Sequence, residues 1–212
     1  IKNLKDIDYV TVATPDKKIM DYMKSINGNS IITKKSHTRA SDRTAEALLK
    51  IEKKLKTKFD LVIMIQGDEP MVNIKMIKKT ITKFKKDKKT IVSNLISKIK
   101  SKEDFSNKNI IKVVFDNNLN ALYFSRKAIP FSSNNQFGWK QVCIIGFRRD
   151  ILIKFNKLKE SFLEISESVD MNRLLENKIN VRLIKIKDTT HPVDTKADIK
   201  IVEKMIKKIN NF

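Results

Sequence analysis

Apolar positions along the chain come in two rhythms, and the change between them falls near residue 90. Before it, short apolar runs alternate with helical periods. Residues 8–14 (DYVTVAT) read as a strand stopped by Pro15-Asp16, and Asp16 caps a helix over 17–25 with Ile19, Met20 and Met23 on one side. Asn27-Gly28-Asn29 turns the chain into a short strand at 30–33. A polar loop at 34–41 then leads to an amphipathic helix over 42–55, built on Ala45, Leu48, Leu49 and the stretch 51–55. The stretch LVIMIQGDEP at 61–70 is a β-branched apolar run closed by Gly and Pro, the pattern of a strand over 61–66 buried on both faces. A helix follows over 74–84.

Past residue 90 strands dominate, at 91–95, 110–115 and 121–124, with Asp116-Asn117-Asn118 placed like a hairpin turn. A strand at 142–147, helices at 150–158 and 168–177, a strand at 181–186 and a last helix at 195–209 complete the pattern. Strands alternating with helices predict an α/β domain with a mostly parallel sheet. No repeat, low-complexity tract or long linker divides it, so residues 1–212 read as one domain.

Composition narrows the function more by exclusion than by assertion. No apolar run reaches transmembrane length, and the start IKNLKDIDYV is no signal peptide. A single Cys143 excludes an internal disulfide and fits a reducing, cytoplasmic setting. Two histidines and one cysteine cannot build the usual zinc site, so any metal is expected to be a hard cation on carboxylates. The net charge of +21 raises nucleic acid as a partner. Against that, only seven of the 45 basic residues are Arg, and the lysines are scattered along the chain. Phosphate and base reading favours clustered Arg, so a solvated lysine-rich surface is expected, with no specific nucleic acid and no membrane insertion.

Four short stretches carry candidate chemistry. In a parallel sheet the ligand site lies at the carboxyl ends of strands, which places Asp68 there as a metal-ligand candidate after Gln66 and Gly67. Read more plainly, GDEP is an acidic turn, and nothing in the sequence assigns Glu69 a partner. The junction at 36–46 gathers Arg39, Ser41 and Arg43 at a helix start, where free N–H groups and guanidinia can hold a nucleotide; equally, Ser41 or Asp42 is only the N-cap. Arg126 at the end of a strand can grip a carboxylate or phosphate, or simply finish a polar strand end. Asp194 before the last helix can share a cation with Asp68 if the strand ends converge, or cap that helix.

Taken in order, VATPD (12–16), HTRASDRTAEAL (37–48), IQGDEPMV (65–72), ALYFSRKAIPF (121–131), LLENK (174–178) and VDTKAD (193–198) resemble the 3-deoxy-manno-octulosonate (Kdo) cytidylyltransferases. The resemblance covers nearly the whole chain. It implies a three-layer α/β fold like that of the nucleotide-diphospho-sugar transferases, with an antiparallel dimerisation segment inserted at about 91–140. It also implies a homodimer and Mg²⁺-dependent transfer of CMP from CTP to a 2-keto sugar acid, a lipopolysaccharide precursor. By the same likeness Asp68 and Asp194 hold magnesium. Arg39, Ser41, Arg43 and Gln66 contact the nucleotide, and Gln66, Arg126, Gln141 and Asp170 contact the sugar.

Two departures qualify the likeness. The family opens with a strand and a basic PAR-x-x-S-x-R-LPGK-PL loop that binds the triphosphate, and no stretch here matches it. A unit of ~30 residues, strand, loop and helix, is therefore expected ahead of Ile1 in the full protein. The family's His-x-Gly-x-Tyr strand reads Gln141-Val142-Cys143-Ile144-Ile145, and its Glu-Gln pair reads Asp170-Met171. Kdo, a modified Kdo and another sugar acid all stay open as acceptors. So does a non-catalytic basic α/β domain that binds nucleotides or nucleic acid.

Overall fold

The structure is a computed structural model that describes residues 4–131, 137–187 and 190–210. In chain order its elements are β1 (Val12–Thr14), α1 (Lys17–Ser25), β2 (Ser30–Ile32), α2 (Ala40–Leu55), β3 (Leu61–Ile65) and α3 (Ile74–Lys86). Then come β4 (Val92–Lys98), α4 (Lys102–Ser106), β5 (Lys112–Phe115), β6 (Ala121–Ser125), β7 (Trp139–Arg148), α5 (Arg149–Phe155), α6 (Phe162–Glu167), α7 (Met171–Glu176), β8 (Val181–Ile186) and α8 (Lys196–Asn210). The chain falls into two compact units, one of residues 1–64 with 147–158 and one of residues 65–146 with 159–212.

The first unit is built on a β-α-β crossover, with β1 parallel to β2 in the register Val12–Ser30 to Thr14–Ile32. Asp16 caps α1 through its Oδ1, which accepts the Lys18 N–H at 2.7 Å, as its position predicts. Helix α2 buries Ala45, Ala47, Leu48 and Ile51. It begins at Ala40, so neither Ser41 nor Asp42 is its N-cap; Arg39 stands there without a side-chain capping bond. Burial explains the shift, because Ser41 has no exposed surface and packs as part of the first turn. Leu49, counted with the apolar face in sequence, is 46% exposed.

The second unit carries the sheet β6-β5-β7-β4-β8, in which β4 and β8 are parallel and β5 is antiparallel to both β6 and β7. The antiparallel stretch falls where the hairpin-rich pattern lies. Asp116 builds the hairpin turn as expected: its Oδ1 accepts the N–H groups of Asn118 at 2.9 Å and Asn120 at 2.8 Å, and Leu119 takes φ 61°. On β7, Gly146 is needed for close packing, since a Cβ there would lie 2.6 Å from Phe84 Cε2 and 2.9 Å from Thr80 Cγ2 of α3. The core of this unit is apolar strand interior, including Val92, Leu95, Ile96, Val142, Ile144, Ile145, Val181 and Leu183.

Two expectations need correction. Strand β3 is not buried on both faces: only Met64 is buried, while Leu61, Val62, Ile63 and Ile65 are half-buried. The helix expected over 168–177 is the shorter α7, and ahead of it lies a helix that was not expected, α6, ended by Ser168 at φ 52°. The signal lay in Ser161-x-x-Glu164, a capping-box spacing, and Glu164 Oε2 accepts the Ser161 N–H at 3.3 Å.

Candidate active site

The centre of the second unit's candidate site is the turn that leaves β3. Gln66 N–H donates to the Cys143 carbonyl of β7 at 3.2 Å, and Glu69 N–H donates back to Gln66 O at 3.2 Å, which closes a tight turn over Gly67-Asp68. A Cβ on Gly67 would meet nothing within 4 Å, so the space beside this turn is open to a ligand. The Val193 N–H donates to the Asp68 carbonyl at 2.8 Å, and that bond carries Asp194 to the same place. The convergence on which a shared cation depends is therefore present in the backbone.

The electrostatics of the turn are those of carboxylates short of positive charge. Asp68 is half-buried, and its Oδ1 is buried with no donor among the described residues. Burial raises its pKa, and the charge of Asp194 raises it further. Asp194 itself is exposed. The start of α8 is tied by Asp198, whose Oδ2 accepts from Thr195 N–H at 2.7 Å, Thr195 Oγ1 at 2.7 Å and Asp194 N–H at 3.2 Å. His191 Nε2 lies 3.0 Å from Asp198 Oδ1, and these contacts hold the Asp198 carboxyl down at about 2. The Asp194 backbone is thereby fixed while its side chain stays exposed.

Glu69 shows what sequence reading missed. It is 5% exposed, and its Oε1 accepts the Cys143 N–H at 3.3 Å, which ties the turn to β7. Burial and the charge of Asp68 push its pKa up, against the Cys143 N–H bond and the nearby Lys140. Lys140 is likewise buried and donates to the Thr190 carbonyl at 2.6 Å. No local pattern marks these two, because their burial comes from tertiary packing. Cys143 sits among four acids from three places in the chain. Burial first, then the charges of Glu69, Asp68, Asp170 and Asp194, push its thiol well above the usual range.

Asp170 and Gln141 thus belong to the same neighbourhood, Asp170 through its charge on Cys143 and Gln141 as the residue two before Cys143 on the same face of β7. Gln141 Nε2 donates to Asn94 Oδ1 at 2.6 Å. Arg126 is held at the end of β6. Its Nε, Nη1 and Nη2 donate to the carbonyls of Glu167 at 2.7 Å, Lys108 at 3.1 Å and Ser168 at 3.3 Å. Among the described residues these bonds engage one N–H on each terminal nitrogen. Glu167 organises this clasp, accepting from Tyr123 Oη, Ser125 Oγ and the Arg126 N–H, each at 2.8 Å. Beneath it, Lys112 is fully buried and donates to three carbonyls, those of Asn107, Ile110 and Arg126. Burial and then the Arg126 charge lower its pKa to about 8.

The other candidates lie in the first unit, at the start of α2. Ser41 Oγ is buried without a partner among the described residues. The Arg43 guanidinium braces the preceding loop, donating to Thr33 Oγ1 at 2.7 Å, Lys34 O at 3.1 Å and His37 O at 3.0 Å. Glu46 supports the same loop: it bonds His37 Nε2, accepts the Lys34 N–H at 3.0 Å and pairs with Lys50 at 2.7 Å. Burial opposes its charge, but these partners outweigh it and lower its pKa from 4.5 to about 2. A carboxylate whose folded pKa is depressed contributes stability above its unfolded value and loses it as pH falls through the folded one. Glu46→Gln should therefore cost stability above pH 4.5 in denaturant titrations, and the difference from the parent should vanish by about pH 2.

The cytidylyltransferase family pattern matches residues 1–186. The chain belongs to this family. Its relatives include the 3-deoxy-manno-octulosonate cytidylyltransferase of Fusobacterium nucleatum, 37% identical over 210 residues that make up 97% of this chain and 82% of the relative. The enzyme of the same name from Thermodesulfovibrio yellowstonii is 38% identical over 218 residues, 97% of this chain and 84% of the relative. Among solved structures, CMP:2-keto-3-deoxy-manno-octonic acid synthetase complexed with CTP superposes with a TM-score of 0.86 at 30% identity, covering 98% of this chain and 84% of that one. The 4-diphosphocytidyl-2C-methyl-D-erythritol synthase of Anaerococcus prevotii, 18% identical with a TM-score of 0.64, shares the fold. The nucleotidyltransferase fold expected of this cytidylyltransferase chain is therefore present.

Proposed function

We propose that the protein is a cytidylyltransferase that transfers CMP from CTP to 3-deoxy-D-manno-octulosonate and releases pyrophosphate. The observation that carries the reading is the Val193–Asp68 backbone bond, which sets Asp194 beside Asp68 in a chain of this family. The anomeric hydroxyl of the sugar acid forms a bond to the α-phosphorus, the bond from that phosphorus to the bridging oxygen breaks, and pyrophosphate leaves.

Asp68 and Asp194 fit a divalent cation. One offers a buried oxygen with no donor, and the other an exposed carboxylate whose charge disfavours ionisation of the first. Among the described residues no group of three or more His, Cys, Asp or Glu side chains forms a metal cluster, so the remaining ligands would come from substrate and water, the usual arrangement for Mg²⁺. Magnesium bound there supplies charge neutralisation on the phosphates. The chain's own residues do the positioning: Glu69 pins the turn to β7, and Asp198 fixes the backbone of Asp194. Gln66, Arg126, Gln141 and Asp170 contact the sugar acid, while Arg39, Ser41, Arg43 and again Gln66 contact the nucleotide. A homodimer and a cytoplasmic setting belong to the same proposal. No helix among the described residues is long and apolar enough to cross a membrane.

Several arginines that a nucleic-acid surface would need are committed internally: Arg43, Arg126 and Arg182 to carbonyls, Arg149 to Glu52 and Arg173 to Glu164. The test is pyrophosphate release by the full chain with CTP, Mg²⁺ and a panel of 2-keto sugar acids. Release that requires both CTP and Mg²⁺ is expected. No release with any sugar acid, together with steeply salt-dependent binding of RNA or DNA, would overturn the reading in favour of a nucleic-acid module.

A further inference from the structure

Gln141 lies on β7, and the structure dictates which way its amide points. Asn94, on the buried strand β4, has no exposed surface. Its Nδ2 lies 2.7 Å from the Val142 carbonyl, 3.0 Å from that of Leu95 and 3.4 Å from that of Ile144. Carbonyls only accept, so the atom facing them has to be the nitrogen, and the orientation of Asn94 is settled by its surroundings. Asn94 Oδ1 is then an acceptor turned toward Gln141, 2.6 Å from the Gln141 nitrogen. An oxygen there would meet an oxygen in a buried place, a costly arrangement. The Gln141 amide is thus held with its NH₂ toward β4 and its Oε1 away from it.

We propose that Asn94 is a specificity-determining positioning residue, which locks the Gln141 amide so that its carbonyl oxygen accepts a hydrogen bond from a hydroxyl of the sugar acid. This rests on the cytidylyl-transfer reading. The half-buried Gln141 side chain shares its face of β7 with Cys143, around which Asp68, Glu69, Asp170 and Asp194 gather. A locked Oε1 rejects a carboxylate, which can only accept, and suits a hydroxyl, which can donate to it. The bond to Asn94 uses one of the two Gln141 N–H groups, so the amide can both accept from and donate to neighbouring hydroxyls.

The experiment has a spectroscopic arm and a kinetic arm. In the ligand-free full chain with glutamine-selective ¹⁵N labelling, one Gln141 Nε2 proton should be protected from exchange and the other open. Two freely exchanging protons would overturn the locked orientation. In kinetics, the full chain should lose about 10-fold or more in kcat/KM on one member of a set of sugar acids each lacking a single hydroxyl. Gln141→Met should lose about as much on the parent sugar acid and no longer distinguish that analogue. Asn94→Ser should raise KM for the sugar acid by roughly 10-fold with KM for CTP unchanged. If the parent chain and Gln141→Met rank the analogues alike, Gln141 does not read a hydroxyl. If the parent chain releases no pyrophosphate with any sugar acid, the transfer reading itself fails, and the exchange result still reports on the amide.

Discussion

Asp68→Asn should lower turnover by about 10³-fold or more, because the charge stabilisation a carboxylate-held cation provides is worth several kcal/mol and each 1.36 kcal/mol is tenfold in rate. The fold should not suffer. Asp68 Oδ1 is buried without a donor among the described residues, and the neighbouring Asp194 charge disfavours its ionisation, so a neutral amide removes a repulsion. The sign is that of a raised pKa: ionising such a group in the folded state costs stability as pH rises past its unfolded value, and the neutral variant escapes that cost. Without divalent cation, the Asp68→Asn variant should melt at or above the parent temperature, while its catalysis is nearly gone. Near-parental activity would remove Asp68 from the metal, and a large drop in melting temperature would make its role structural.

Breaking the Glu164–Arg173 pair should be the most destabilising single change in the second unit. Arg173 is 2% exposed and Glu164 not at all, and the guanidinium grips the carboxylate through Nε at 2.6 Å and Nη2 at 2.5 Å. Arg173→Met leaves the Glu164 carboxylate buried without its cation, a loss of about 3–5 kcal/mol. That is a large part of a total stability of about 5–15 kcal/mol. Replacing both residues, as Glu164→Leu with Arg173→Met, should recover much of the loss, since a buried pair seldom outperforms apolar packing of similar volume. The pair also joins α6 to α7, the connection that bears Glu167, Ser168 and Asp170. The single variant should therefore also loosen the grip of Glu167 and Ser168 on Arg126. Thermal melts of the two variants and the parent decide the matter; a single variant melting with the parent would mean the pair contributes nothing net.

Much of the fold is written locally. Helix α1 and strand β8 occupy the residues their patterns predict, because caps, β-branched runs and turn residues act within a few positions of themselves. Errors gathered where neighbours decide. The α2 start moved because Ser41 is packed, and α6 was missed because a six-residue helix has too few turns to show a period.

For the site, the sequence by itself determined its ingredients: an apolar strand delivering Asp68 into a turn, a second acid before the last helix, and a motif order that belongs to cytidylyltransferases. Only the tertiary structure decided that Val193 meets Asp68 and that Glu69 is a buried tie to Cys143 rather than an idle turn residue. It alone decided that Asn94 and Gln141 face each other with one amide orientation. The physical reason is range. Propensity and turn chemistry act between neighbours, whereas which N–H finds which carbonyl or carboxylate across the sheet is set by how whole elements pack.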